Sequence, residues 1–114
     1  MMTVDYRWPS VATFVVLAAS STGAYAQLPE PSALIDQQHC MACHTIDKSF
    51  LGPSFRQIAN RYHDDPNASA MLEFKLRKGG PAHWGDMAMP SPAERAGPIS
   101  AEDAHTLVQW VLSQ

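Results

Sequence analysis

The feature that most constrains this chain is Cys40-Met41-Ala42-Cys43-His44, which contains both of its two cysteines. Two thiols three residues apart on a helical turn face the same way, and the next residue swings an imidazole to that side. In a C-x-x-C-H pattern the thiols add to the two vinyl groups of a haem, and the adjacent histidine reaches its iron. In a chain of this composition the pattern arises by chance only about 0.0015 times. Three other chemistries compete for the pair. A thioredoxin-like redox couple belongs beside a βαβ pattern, and no strand-like run is visible. A structural zinc site takes four ligands, and a second Cys or His pair at ligand spacing is missing. A disulfide across so short a loop stabilises little. The residues favour one covalently bound haem c, attached at Cys40 and Cys43, with His44 on the iron.

A bound macrocycle also answers a shortage of core. The chain has 114 residues, 46% hydrophobic and 17% charged, which fits one small domain and excludes a disordered chain. No apolar run reaches the 18 or so residues of a spanning helix. Eight basic and 11 acidic residues give a net charge of −3. With no basic cluster, this speaks against nucleic acid or an anionic membrane as partner. Residues 1–26 read as an export signal: Arg7 offset by Asp5, an apolar run from Val11 to Ala19, then Ala24-Tyr25-Ala26 with small residues where a signal peptidase reads. Cleavage after Ala26 leaves 27–114 as the domain, placed in the periplasm and still at −3, because Arg7 and Asp5 depart together. An uncleaved segment would instead anchor it to the membrane. No cysteine near the cleavage site suits a lipid anchor. So short a remainder needs a staple or an added filler, and a haem bonded to the chain supplies one.

The rest of the domain reads as all-α, about four helices around that filler. Pro31 at the first helical position opens a helix from Ser32 to Met41, carrying Leu34, Ile35 and Gln38. Pro53, as a helix starter, and Ser54 open a second, in which Phe55, Ile58, Ala59 and Tyr62 recur at helical spacing. Asp64-Asp65-Pro66-Asn67 breaks it. Ala68 to Lys78 forms a third, with Met71, Leu72, Lys75 and Leu76 along one face and Gly79-Gly80-Pro81 as its stop. Ser100-Ala101-Glu102-Asp103 resembles a capping box for the last, in which Ala104, Leu107, Val108 and Val111 keep the period beside Trp110 and Leu112.

Between Gly79 and Pro98 the pattern is irregular and holds four prolines, with His83, Trp84, Met87 and Met89. A long loop in so small a domain is usually functional, and here it is the natural source of a second axial ligand. Met89 is preferred, because Pro90 stiffens the backbone beside it. Met87 lacks that support, and Met71 suits a core position. His83 would give bis-His iron of lower potential. Trp84 carries an indole N–H that needs a partner when buried. His83, beside it, could couple its protonation to the haem charge and make the potential pH-dependent. His39, His63 and His105 read as ordinary surface histidines.

From Pro31 to Gln114 the chain resembles the small bacterial class I cytochromes c of the cytochrome c-551 type. The matching motifs are Cys40-Met41-Ala42-Cys43-His44, Gly52-Pro53, Trp84-Gly85 followed by Met89-Pro90, and Leu107 to Gln114. The resemblance implies that the Pro53 carbonyl accepts the second N–H of His44, that Trp84 and Lys75 bind haem propionates, and that His44 and Met89 ligate the iron. It also implies that the first helix packs across the last, bringing Leu34 and Ile35 to Leu107 and Trp110. The chain departs from the family at His39, where glycine or a long polar residue is common. It departs again at Pro92, where many members carry an asparagine that hydrogen-bonds near the methionine sulfur, and in a longer Ser91–Ile99 loop.

The resemblance further implies single-electron transfer with exported redox proteins as donor and acceptor, by weak and brief docking of a monomer at an apolar rim. A net charge of −3 implies only modest salt dependence. No enzyme activity and no small-molecule substrate are expected. Two alternatives remain: an electron-transfer subunit of a larger oxidoreductase, or a haem enzyme or sensor with an open sixth position. The second lacks a distal His/Arg pair, since His83 has no arginine near it in the loop.

Overall fold

The computed structural model describes residues 2–4, 10 and 27–114. The expected signal segment, with Arg7, the apolar run and the Ala24-Tyr25-Ala26 site, lies outside the described residues. Among those described, five helices come in order: α1 Ser32–Gln37, α2 Phe55–Tyr62, α3 Ala68–Lys78, α4 Pro92–Arg95 and α5 Ala101–Leu112, with a single 3-10 turn over Cys40–Ala42 after α1. None of the helices among the described residues is long and apolar enough to cross a membrane.

Local chemistry explains most boundaries. Ser54 caps α2 reciprocally: its hydroxyl accepts from Gln57 N–H at 3.1 Å, and the Gln57 carbonyl Oε1 accepts from Ser54 N–H at 2.8 Å. Pro53 therefore stands one residue outside the cap, and the helix starter is Ser54. The same correction applies to Pro31, which caps α1 at φ −82° rather than occupying its first turn. At α5 the expected box is half made: Ser100 accepts from Asp103 N–H at 3.0 Å. Gly79 ends α3 at φ 73°, donating to Lys75 O at 2.8 Å, and a Cβ there would sit 3.3 Å from the Ser91 Cα. A glycine thus lets the end of α3 lie against the start of α4.

Two expectations need correction. The first helix does not run on to Met41: it ends at Gln37, and His39 adopts the left-handed region at φ 55° before the 3-10 turn. That reversal, uncommon for a residue with a Cβ, redirects the two cysteines away from the α1 axis. His39 is exposed, but its backbone role is specific. The loop 79–98 is also not wholly irregular. Ser91-Pro92-Ala93-Glu94 makes a capping box with proline in the first turn, and α4 follows with Pro92 buried.

α5 forms the spine of the domain, packing against α1, α2 and α3. Ile35, Phe55, Leu76, Ile99, Ala104, Leu107, Val108 and Trp110 form one buried cluster, with Leu34, Ile58, Leu72 and Met89 packed against it. The expected crossing of the first helix over the last is therefore present. Phe55 meets Trp110 edge-on at 5.0 Å between centroids, a geometry worth about 1 kcal/mol beyond burial. Ser54 is wholly buried, so Ser54→Ala loses a cap and strands Gln57. A cost of about 1–2 kcal/mol is expected. In a domain this small that lowers Tm by roughly 4–16 °C, which thermal unfolding of the holoprotein measures.

α3 and α5 are also joined by a polar relay. The Glu73 carboxylate accepts from Ser69 Oγ at 2.7 Å and lies 2.6 Å from His105 Nδ1, while Gln109 Nε2 donates to Ser69 at 2.8 Å. His105 is thus bound across two helices, unlike an ordinary surface histidine; His63, by contrast, is exposed beside Asp64. The Ser69 hydroxyl first, then the His105 hydrogen bond, holds the Glu73 carboxyl below the ordinary carboxylate range. A depressed folded-state value contributes stability above the unfolded value and loses it as pH falls through the folded one. Glu73→Gln should be less stable than the wild type at pH 7, with the two converging as pH falls below the ordinary carboxylate range. Denaturation midpoints across that range read the difference.

Candidate functional site

The two cysteines, His44 and the long loop converge on one cleft. A cavity of about 340 Å³ is lined by Cys40, Cys43, His44, Pro53, Trp84 and Met89, among others. It continues into an apolar recess of about 100 Å³, where His44 and Met89 meet Phe55, Leu107 and Trp110. Cys40 and Cys43 are half-buried, carry no disulfide, and are held by the turn that His39 initiates. Burial pushes the Cys40 thiol up, against the nearby Arg95 charge.

His44 is fixed on three sides. Its Nδ1 lies 2.6 Å from the Pro53 carbonyl. A carbonyl only accepts, so Nδ1 carries the proton and Nε2 keeps its lone pair. Phe55 stacks on the ring at 5.4 Å. At Gly52 a Cβ would stand 3.0 Å from the ring Cε1, so glycine makes room for the imidazole.

Another part of the lining comes from the loop. Met89 is half-buried, packs against the core cluster and lines both parts of the cleft. Met87 reaches only the outer part and is 62% exposed. Met71 is half-buried on α3, off the cleft walls. Trp84 and Lys75 line the cleft, and the Lys75 ammonium donates to the Pro81 carbonyl. The Trp84 indole N–H meets no acceptor among the described residues. His83 is exposed at the outer part.

Three residues here escape sequence reasoning. Arg61 of α2 lays its guanidinium 4.5 Å from the Trp84 ring centroid and donates to His83 O at 2.9 Å. An arginine does therefore stand near His83, supplied by a helix and not by the loop, but it is committed to a backbone carbonyl and an aromatic face. Gln38, 2% exposed, and Arg95 of α4 close the side of the cleft near Cys40. Among the described residues no group of three or more His, Cys, Asp or Glu is placed to hold a bare metal ion. The donor set fits a haem: two thiols beside one imidazole with a free Nε2, a thioether in the same cleft, apolar walls, an indole donor and an ammonium.

Residues 30–114 match the family model described as Cytochrome c. The chain belongs to the cytochrome c family. Cytochrome c-551 of Pseudomonas aeruginosa is 35% identical over 104 residues, covering 91% of this chain and 90% of that protein. Cytochrome c-552 of Nitrosomonas europaea is 31% identical over 103 residues, covering 90% and 93%. The crystal structure of the wild-type Nitrosomonas europaea cytochrome c552 superposes with a TM-score of 0.63 at 31% identity, over 71% of this chain and 95% of that one. The class 1 cytochrome MtoD of Sideroxydans lithotrophicus gives 0.60 at 27% identity, over 72% and 89%. This cytochrome is thus a class I, all-α, mono-haem electron-transfer protein with one covalently bound haem c at the Cys40-Met41-Ala42-Cys43-His44 motif.

Proposed function

We propose that this cytochrome is an exported single-electron carrier in which His44 and Met89 would hold the haem iron. The observation that carries the reading is one cleft lined by both an imidazole pinned by the Pro53 carbonyl and a thioether packed on the core. Bound there, the haem iron supplies a one-electron couple whose potential a methionine ligand raises.

The chain's own contribution is orientation and exclusion of water. Pro53 fixes the His44 tautomer, while Ile58, Leu72 and Phe55 keep the cleft apolar around it. The Trp84 indole N–H and the two ammonium protons that Lys75 has left are donors for the haem propionates. Side chains on both faces leave no place for a substrate, which supports a carrier without enzyme activity. Leu51 and Met87 are exposed where the cleft opens and suit brief, weak docking of a monomer with exported donor and acceptor proteins. With a net charge of −3, that docking should depend little on salt. Cleavage after Ala26 would deliver the domain to the periplasm.

Intact mass and ferric absorbance of the exported protein test the reading together. Residues 27–114 plus one haem, with the weak long-wavelength sulfur-to-iron band, are expected. A mass lacking haem refutes the tether, a chain still carrying residues 1–26 refutes the cleavage, and a high-spin ferric spectrum refutes the axial pair.

A further inference from the structure

The loop that presents Trp84, Met87 and Met89 lacks a backbone scaffold of its own. Among the described residues, 80–90 make no backbone–backbone hydrogen bond. Instead, three basic side chains hold its carbonyls: Lys75 at Pro81, Arg61 at His83 and Arg95 at Pro90. The last contact falls on the residue next to Met89. Proline has no N–H to donate, so its carbonyl is the one backbone polar group that Pro90 itself offers.

Arg95 is built for this task. Its Nε donates to Pro90 O at 3.0 Å, Nη1 to Gln38 O at 3.2 Å and to Gln38 Oε1 at 3.1 Å, and Nη2 to Leu76 O at 2.9 Å. One planar fork thus joins the end of α1, the last turn of α3 and the methionine segment. Its near end is held as well, because α4 is capped by Ser91 and Glu94 and begins with the buried Pro92. Gln38 is almost wholly buried, so its Oε1 depends on the guanidinium. A lysine at 95 could keep the charge but not four donors in one plane.

We propose that Arg95 is the positioning residue for Met89, holding the Met89–Pro90 segment against the cleft through the Pro90 carbonyl and setting how readily the thioether leaves the iron. The role rests on Met89 being the second axial ligand.

Imidazole titration of the ferric holoprotein tests the role, read by loss of the sulfur-to-iron band. A charge-assisted hydrogen bond is worth roughly 10- to 100-fold in an opening equilibrium, so imidazole should bind Arg95→Ala more tightly by about that factor. Arg95→Lys should shift the same way, since the fork is lost while the charge stays. Ser100→Ala, which weakens the α5 cap away from the loop, should bind imidazole as the wild type does. An unshifted Arg95→Ala midpoint overturns the role. So does a wild-type midpoint in Arg95→Lys, which would assign the effect to charge, or a Ser100→Ala shift as large as that of Arg95→Ala, which would assign it to global stability. If the wild-type ferric protein shows no band at all, the ligand reading falls and takes this role with it.

Discussion

Cys40→Ser/Cys43→Ser, which cannot be tethered to haem, is expected to emerge from expression largely without helical structure. The helices are short: six residues in α1, eight in α2, 11 in α3 and 12 in α5. Isolated helices below about 12–15 residues are marginal in water, so these depend on packing. Much of that packing faces the cleft. Ile58, Leu72, Met89 and Trp84 all line it, and the recess behind it opens onto Phe55, Leu107 and Trp110. Without haem, a cleft of about 340 Å³ would leave these apolar walls facing water instead of a packed macrocycle. A small domain has only about 5–15 kcal/mol to lose. The far-UV circular dichroism of the double variant should therefore resemble an unfolded chain, and its thermal transition should vanish. A cooperative transition near the wild-type temperature would show that the polypeptide supplies its own core.

The same dependence explains which parts are legible in the sequence. The attachment motif, the α2, α3 and α5 faces and the stop at Gly79 rest on spacing or on adjacent residues, and local chemistry is printed in order along a chain. Spacing predicts α1 four residues too long, because Leu34, Ile35 and Gln38 keep the helical period up to the motif and nothing in a histidine announces a left-handed backbone. α4 escapes the pattern although Ser91-Pro92-Ala93-Glu94 carries a serine and a glutamate at capping-box spacing; the surrounding prolines read as loop. The Pro53 carbonyl contact with His44 comes from the family resemblance, and the structure reproduces it at 2.6 Å. Arg61, Gln38 and Arg95 have no such route. Arg95 reaches across 57 positions to Gln38, and Arg61 across 22 to His83. An arginine in a polar stretch looks like solvated surface until the fold brings carbonyls to it.

Met89→Ala should remove the long-wavelength sulfur-to-iron band, lower the reduction potential and open the protein to added ligands, all without detaching the haem. Axial ligands set haem potentials over a span of about 0.8 V, and a thioether lies toward the upper end because it favours the reduced state. Replacing it by water or a nitrogen donor should lower the potential by an amount on the order of 0.2 V, a fraction of that span. Met87→Ala is the matched control, because its side chain is 62% exposed and reaches only the outer part of the cleft. It should keep the band and shift the potential little. His83 lines the same outer part, so a bis-His iron would leave both methionine variants with wild-type spectra. Potentiometric titration and ferric absorbance of the two variants therefore separate three arrangements. Loss of the band in Met89→Ala alone supports the His44–Met89 axial pair; loss in Met87→Ala alone moves the ligand two residues back along the loop. A band absent from the wild type and from both variants transfers the sixth position to a nitrogen donor, and with it goes the basis for a high-potential carrier.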